Sequence, residues 1–242
     1  RELHSLDRRQ RQMCIRGSYG TVFSDFDQDG DVDLTIAKCR QFVNDPFDPR
    51  RVNQIWLNNG DGSFSEVAEE RGLVLNEQSW TVDYADYDND GDFDCFLTNH
   101  STTMTLLQND GNGYFNDVTE EAGLDFSGFA LQAKMADFDN DGFVDVIVSG
   151  GVHRFYRNNG DGTFTEDEPF TAGDTMHSFA IGDVNRDGTI DVYATYGNGY
   201  NSPDNGNDDI LWLNTGNDNH WIAFDLEGLV SNKDAVGTAV VL

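Results

Sequence analysis

The sequence predicts an all-β protein made of repeated four-stranded sheets, and three observations lead to this prediction. An acidic pattern, D-x-[DN]-x-D-G-x-x-D, occurs four times, beginning at residues 25, 86, 137 and 183. Each copy is followed by a short run of β-branched and apolar residues, which is typical of strands. A second motif, N-N-G-D-G-x-F or a close variant, begins at 58, 109 and 158 and in degraded form at 214. Repeats of 46 to 61 residues indicate a solenoid or a propeller.

Within each repeat the predicted order is strand, acidic loop, strand, variable connection, strand, tight turn, strand. Glycines in the second motif supply the positive φ that hairpin turns need. The residue before each first aspartate is small, which favours an innermost strand crowded around a propeller axis; these residues are Ser24, Ala85, Ala136 and Gly182. Each repeat is therefore predicted to be one blade of a β-propeller. The expected blades are 19–73, 74–124, 125–173 and 174–218, preceded by a basic segment at 1–18.

Composition excludes several classes of function. The chain has 242 residues, with 15 Lys and Arg against 44 Asp and Glu, and a net charge of −29. Such a protein repels phosphate backbones and anionic lipid, so we expect no nucleic-acid partner. No apolar run reaches the length of a membrane-spanning helix, so we expect no membrane insertion. The aromatic content of 12% is too high for a chain that stays unfolded.

The acidic loops are predicted to bind calcium, at about four sites. Aspartates at loop positions one, three and five converge, glycine at six permits a sharp turn, and aspartate at nine closes the ligand set. Position seven varies and is predicted to contribute its backbone carbonyl. Clustered oxygen ligands suit Ca²⁺ better than Mg²⁺. The predicted ligand residues are Asp25, Asp27, Asp29, Asp31, Asp33, Asp86, Asp88, Asp90, Asp92, Asp94, Asp137, Asp139, Asp141, Phe143, Asp145, Asp183, Asn185, Asp187, Thr189 and Asp191.

These loops allow two other interpretations. An EF-hand needs glutamate at position twelve, where this chain has only Ile36, Leu97, Val148 and Ala194. Aspartate-rich turns without an ion are the other alternative, but four copies in one register favour a metal, because unpaired carboxylates this close repel each other. The fourth site is expected to be the weakest, since Asn185 replaces an aspartate and Arg186 lies beside it.

The two motifs, followed by the segments 67–73 and 118–124, resemble the FG-GAP/VCBS repeats of integrin-like β-propellers over about residues 19–217. Residues 219–242, with Trp221 and an apolar run at 235–242, resemble the opening of the ASPIC/UnbV module of the cartilage acidic protein family. The resemblance implies secretion, calcium-stabilised blades and binding or adhesion, and it implies no catalytic residues. Propellers of this family have about seven blades. Four visible blades therefore leave two options: a fragment, or blades completed by another chain.

Cysteines and loop residues give further candidates. Cys14 and Cys39 flank neighbouring strands, so they form either a disulfide in an oxidising compartment or two free thiols. Cys95 occupies an apolar strand position and is predicted to be a buried free thiol. A ligand-binding rim opposite the calcium loops is one interpretation of the variable connections, and ordinary loop packing is the other. The rim candidates are Phe42, Phe47, Arg50, Arg51, His100, His153, Tyr196 and Tyr200.

Three functions follow as hypotheses. The first is a secreted, cell-surface or periplasmic calcium-binding propeller that binds an extracellular protein or polysaccharide without catalysis. The second is a structural subunit of an extracellular filament or surface layer, in which copies of the chain complete each other's blades. The third is a lyase-like enzyme acting on polysaccharide, although the sequence contains no G-x-S-x-G, H-E-x-x-H or phosphate-loop motif.

Overall fold

The computed structural model describes residues 18–40, 42–74, 77–100, 102–151, 153–170, 175–197, 206–222, 224–228 and 240. This part of the chain is all-β, as predicted, and contains fifteen strands and no helix, so that nothing in it could cross a bilayer as a helix. The strands are β1 (Ser18–Ser24), β2 (Asp33–Lys38), β3 (Gln54–Asn58), β4 (Phe64–Glu66), β5 (Ser79–Ala85), β6 (Asp94–Asn99), β7 (Thr105–Asn109), β8 (Phe115–Asp117), β9 (Ala130–Ala136), β10 (Asp145–Gly150), β11 (Arg154–Asn158), β12 (Phe164–Asp167), β13 (Met176–Gly182), β14 (Asp191–Tyr196) and β15 (Ile210–Trp212).

The strands form four antiparallel meanders, which we number as blades one to four. Blades one to three contain β1–β4, β5–β8 and β9–β12, and each has the predicted four strands in sequence order. Blade four contains β13–β15, so the prediction of a fourth strand is wrong for the described residues of this blade. The cause lies in the degraded turn, where Asp218 stands in place of the glycine that has φ of +82° at Gly162.

The first strands of consecutive blades pack against one another, which places them innermost as predicted. The approach of β1 to β5 is close enough that Gly20 is required there. A Cβ atom at this residue would lie 2.8 Å from the Cα of Thr81. Because each blade is a meander, its connections alternate between two edges. The acidic loops and the hairpin turns share one edge of the blades, and the variable connections share the other.

The hydrophobic core lies between blades instead of within them. Between blades one and two, Phe26 and Ile55 pack with Cys95 and Phe115, and equivalent clusters fill the two later junctions. Burial of this apolar surface stabilises each blade only through its neighbour.

The two described cysteines are buried. Cys95 is a free thiol whose pKa is raised above its usual value by burial, so this prediction is confirmed. Cys39 also carries a thiol, which donates to Gln78 Oε1 at 3.6 Å. Cys14 lies outside the described residues, so the Cys14–Cys39 disulfide stays a prediction.

Candidate metal centre

The backbone of each acidic loop brings its aspartates to one point. The residue at position four has a left-handed conformation in every loop, with φ between 56° and 63° at Gln28, Asn89, Asn140 and Arg186. The glycine at position six also has positive φ, for example +93° at Gly30, which a side chain would disfavour. Two left-handed residues two positions apart reverse the chain sharply. The loop therefore folds around its own carboxylates.

In the first three loops the aspartates at positions one, three and five converge as predicted. One oxygen from each carboxylate lies within 4.8 Å of the others. The three groups are Asp25, Asp27 and Asp29; Asp86, Asp88 and Asp90; and Asp137, Asp139 and Asp141. These oxygens could hold a divalent ion.

The fourth loop differs in the way the sequence suggested. Asn185 occupies position three, and its Nδ2 donates to Asp187 Oδ2 at 2.7 Å. The amide group thus satisfies an oxygen that a cation would otherwise contact. This arrangement is consistent with a weaker fourth site, whose affinity stays a prediction.

Unpartnered buried oxygens show that the carboxylate groups fit a cation. The position-three aspartates Asp27, Asp88 and Asp139 each have a buried Oδ1 without a hydrogen-bond partner. In the first loop Asp25 Oδ1 and Asp33 Oδ2 share this state. A buried oxygen without a partner costs free energy, so a cation would relieve a real penalty. Burial, reinforced by the charge of a neighbouring aspartate in the same loop, raises the pKa of Asp27 and of Asp139, which is the signature of crowded carboxylates.

The aspartate at position nine joins the two motifs of its blade. In blade two, Asp94 Oδ1 accepts from the backbone N–H of Asn109 at 2.9 Å, and its Oδ2 accepts from that of Tyr87 at 3.1 Å. Burial raises the pKa of Asp94 to about 7 and, in blade one, that of Asp33 to about 7. The sequence predicted an ion ligand here and missed this structural role.

Position seven packs against the hairpin turn of the same blade. A Cβ atom on Gly111 would lie 2.8 Å from Asp92 Oδ2, and one on Gly160 would lie 3.0 Å from the ring of Phe143. The third residue of the second motif has positive φ in every blade, from +66° at Gly216 to +80° at Gly111, which favours glycine, and the position-seven side chain lies against it. The predicted carbonyl ligand at this position stays a prediction.

The sequence also missed the donors that hold the position-three aspartates. Gln108 Nε2 donates to Asp88 Oδ2, and Arg157 Nη1 donates to Asp139 Oδ2, each at 2.6 Å. Both donors immediately precede the asparagine of the second motif, which is the only sequence signal for them. Each aspartate is thereby held through Oδ2, while its buried Oδ1 has no hydrogen-bond partner.

The rim candidates on blade one are partly exposed. Phe42 and Phe47 are 97% and 72% exposed in the connection between β2 and β3. In the same connection Arg50 pairs with Asp48, and Arg51 Nη1 donates to the carbonyl of Val43 at 2.9 Å.

The remaining rim candidates lie in separate aromatic groups. His100 stacks on Trp80, with ring centroids 5.4 Å apart, and also contacts Phe129. His153 and Tyr196 are brought together, with centroids 6.3 Å apart. Tyr200 lies outside the described residues. A single rim uniting all eight candidates stays a prediction, and the packing of His100 fits the alternative of ordinary loop contacts.

Fold and site together define a repeat protein of the β-propeller class, with clustered carboxylates in the first loop of each blade. The chain belongs to the FG-GAP-like repeat family, whose family model matches residues 25–97, 86–148 and 137–194. Each match runs from one acidic loop to the strand after the next acidic loop, so the family unit includes a blade junction. No curated protein matches the sequence.

Solved structures with a similar fold include a crystal structure of BBS1N in complex with ARL6DN. The matched chain is 15% identical with a TM-score of 0.49, and the match covers 75% of this chain and 52% of that one. The biofilm matrix protein Bap1 of V. cholerae is 17% identical with a TM-score of 0.45, with 74% and 28% covered. The chain thus spans about half the length of the first of these relatives and less of the second.

Proposed function

We propose that this chain is a calcium-stabilised propeller module that is exposed outside the cell and binds a protein or polysaccharide without catalysis. The observation that carries the proposal is the buried, unpartnered Oδ1 of the position-three aspartate in three successive loops. Each of these oxygens belongs to a group of three convergent carboxylates. Hard oxygen ligands of this kind are those that calcium takes in proteins.

Calcium, when bound, supplies positive charge to each group of carboxylates. Side chains of the loop fix its backbone and connect it to the second motif. Position-one aspartates such as Asp86 accept from the N–H groups of their own loop, here Asp90 at 3.1 Å and Gly91 at 3.0 Å, so they fix the turn between the first two strands. Asp94 then connects this turn to the second motif. These hydrogen bonds fix the loop edge of the blade, whereas the connections at the opposite edge differ in length and sequence between repeats.

The proposed location and partner rest on three properties. Calcium is millimolar outside cells, where moderate sites fill, and scarce in the cytosol. The charge of −29 disfavours phosphate-rich partners. Exposed Phe42 and Phe47, on the connection that also carries Arg50, offer apolar and cationic contact groups of the kind found in binding loops.

The ASPIC/UnbV resemblance stays a prediction, because the described part of 219–242 contains no strand.

Calcium titration with a matched pair of variants tests the metal proposal. Asp88→Asn removes a charge from the second carboxylate group. Asp110→Asn removes the same charge from the hairpin turn of the same blade, where blades one and three already have asparagine. We expect calorimetry to show three or four calcium ions on the wild type and on the turn variant, and one fewer on the loop variant. Equal melting temperatures of the wild type with calcium and with chelator would contradict the proposal.

Binding and catalysis need separate measurements. A glycan and extracellular-protein array should yield a partner whose binding weakens on Phe47→Ala, with Tyr114→Ala as a control for loss of another exposed aromatic side chain. The proposal of no catalysis predicts no turnover of acidic polysaccharides by calcium-loaded protein. Release of unsaturated sugar products would favour the lyase hypothesis instead.

A further inference from the structure

All three junctions between blades share one side-chain hydrogen bond. The asparagine that opens the second motif donates through Nδ2 to the position-two carbonyl of the preceding blade. The distances are 2.8 Å from Asn109 to Phe26, 2.8 Å from Asn158 to Tyr87 and 2.6 Å from Asn214 to Phe138. Each later blade is thus fixed to the main chain of the acidic loop before it. Because this contact is the same at every junction, differences between the loops must arise from other side chains.

The first carboxylate group differs from the next two in the residue that pairs with its position-three aspartate. Asp88 and Asp139 each accept a hydrogen bond from the residue that precedes the motif asparagine of their own blade. In blade one that residue is Leu57, whose side chain has no hydrogen-bond donor. The pairing group comes instead from the connection between β4 and β5, where Arg71 Nη2 lies 4.0 Å from Asp27 Oδ2. Asp27 is therefore paired with a residue that leads into blade two.

Arg71 is also fixed to the hairpin turn of blade two. Its Nη1 donates to the carbonyl of Asn112 at 2.6 Å, and its guanidinium carbon lies 4.4 Å from the centroid of the Tyr114 ring. Its own carbonyl accepts from the N–H of Phe115 at 2.9 Å. The Arg71 side chain is only 14% exposed. A guanidinium held by an acceptor and by an aromatic face keeps one orientation, so Arg71 joins the first carboxylate group to the turn of blade two.

The turn of blade two also lies directly against the first carboxylate group. A Cβ atom on Gly113 would lie 2.8 Å from the Cβ of Asp27, whereas one on the equivalent glycine of blade three would meet no atom within 4 Å. The main-chain bond of Arg71 recurs at the second junction, where the N–H of Phe164 donates to the carbonyl of Ala122 at 2.9 Å. Alanine at that position has no group that could pair with a carboxylate. The second junction therefore lacks the link that the first one has.

The third junction uses the main chain instead. On the segment after β15, the Nδ2 atoms of Asn217 and Asn219 donate to the carbonyl of Asp139 at 2.8 Å and 3.0 Å. The carboxylate of Asp139 is held within its own blade by Arg157. Among the described residues, the first junction is thus the only one where a charged side chain connects a position-three carboxylate with the turn of the next blade.

We propose that Arg71 is a positioning residue of the first calcium site and couples this site to the junction between blades one and two. The inference rests on the proposed calcium binding. Asp27 has a buried Oδ1 without a hydrogen-bond partner and an Oδ2 that lies 4.0 Å from Arg71 Nη2. A cation at the carboxylate group and the guanidinium therefore favour the same orientation of one carboxylate, against their mutual repulsion. Coupling of this kind is reciprocal, so calcium at the first site stabilises the turn of blade two, and the intact turn contact strengthens calcium binding.

Calorimetric calcium titration tests this coupling in a chain that carries Asp88→Asn and Asp139→Asn, which leaves the first site as the strongest. We call this variant the first-site chain. Adding Arg71→Lys keeps the positive charge, but a single ammonium group cannot occupy the positions of both guanidinium nitrogens. We expect the calcium affinity of the first site to fall about fivefold.

Arg154→Lys, added to the first-site chain, is the matched control. Arg154 also lies over an aromatic ring, 4.5 Å from the centroid of Phe126, and it pairs with Glu166. It begins β11, at the edge of blade three opposite the acidic loops. Its replacement should therefore leave the calcium affinity of the first site unchanged.

Hydrogen exchange at residues 110–115 gives a second readout, which needs no replacement of Arg71. In the first-site chain, saturating calcium should slow exchange in this turn of blade two about fivefold, because the coupling is reciprocal. The slowing should disappear on Arg71→Lys and persist on Arg154→Lys.

Two results would each overturn the inference while leaving calcium binding intact. One is a calcium affinity that Arg71→Lys leaves unchanged or raises. The other is a first-site chain in which calcium does not slow exchange at residues 110–115. Absence of calcium binding by the wild type would instead contradict the proposed function, and this inference with it.

Discussion

Replacement of Asn158 should separate the contribution of a blade junction from that of a turn. This side chain is 6% exposed. Its Nδ2 donates to the carbonyls of Tyr87 at 2.8 Å and Val144 at 3.1 Å, and its Oδ1 accepts from Gly160 N–H at 2.9 Å. Asn158→Ala removes all three hydrogen bonds and leaves the carbonyl of Tyr87, on the neighbouring blade, without this donor.

The expected loss is about 4 kcal/mol of unfolding free energy. Each lost hydrogen bond contributes about 1 kcal/mol net, and a buried carbonyl left without a donor adds about 1 kcal/mol more. In a domain of this size, 1 kcal/mol shifts the melting temperature by about 2–4 °C. Asn158→Ala should therefore melt about 8–16 °C below the wild type.

Thermal unfolding followed by circular dichroism, in calcium, measures this difference. The control is Asn159→Ala, which removes the adjacent asparagine of the same turn. Asn159 is exposed, and its side chain bonds within its own blade, donating to Thr163 Oγ1 at 3.0 Å and accepting from Thr165 Oγ1 at 3.1 Å. Because water replaces hydrogen bonds lost at an exposed site, the variant should lose only about 0.5 kcal/mol of unfolding free energy. Similar small losses in both variants would refute the idea that Asn158 holds two blades together.

Three further predictions concern the carboxylates. Arg157→Gln copies the Gln108 arrangement and removes a positive charge that lies 2.6 Å from Asp139 Oδ2, so calorimetry should show that the third site binds calcium more tightly than in the wild type, because the repulsion between this charge and a cation is lost; unchanged affinity would contradict this. Burial raises the pKa of Asp94 to about 7, above its ordinary 3.8, so its contribution to stability is fully present at acid pH and is lost as pH rises through 7. Protein without calcium, in chelator, should therefore melt at a higher temperature at pH 5 than at pH 8, and the reverse order would be inconsistent with this. Asp86→Ala should lower the calcium-dependent melting temperature more than Asn185→Ala, and equal losses would show a fourth loop as strong as the second.

The blade architecture was predictable because the two motifs specify local geometry. Aspartates alternating with other residues and a glycine at position six determine the turn between two strands, and the spacing to the second motif leaves room for one further strand. The three convergent groups of carboxylates follow from this local geometry alone. The missing fourth strand of blade four was not predicted, although the second motif of this repeat is degraded and Asp218 replaces a turn glycine.

Contacts between blades were not predictable by the same reasoning. Asn109 bonds to the carbonyl of Phe26, which is 83 residues away in the sequence. Every residue type has the same main-chain carbonyl, so the sequence does not show which residue accepts this hydrogen bond. The motif asparagine was therefore interpreted as an ordinary turn residue. Arg157 and Gln108 occupy equivalent positions with different chemistry, and the equivalent residue in blade one is Leu57. The aromatic packing around His100 depends on Trp80 from another strand, which a loop-by-loop interpretation does not include.

The use of a main-chain carbonyl as the acceptor at every junction has an evolutionary consequence. Any residue at position two presents the same oxygen, so this hydrogen bond does not depend on the side chain, whereas the side chains of Phe26, Tyr87 and Phe138 are buried in the junctions and must fit them. A newly duplicated unit would find a matching acceptor already waiting in its neighbour. The polar contact therefore transfers with any whole unit, and in chimeras that exchange complete units the fit of the buried apolar side chains should decide which exchanges fold.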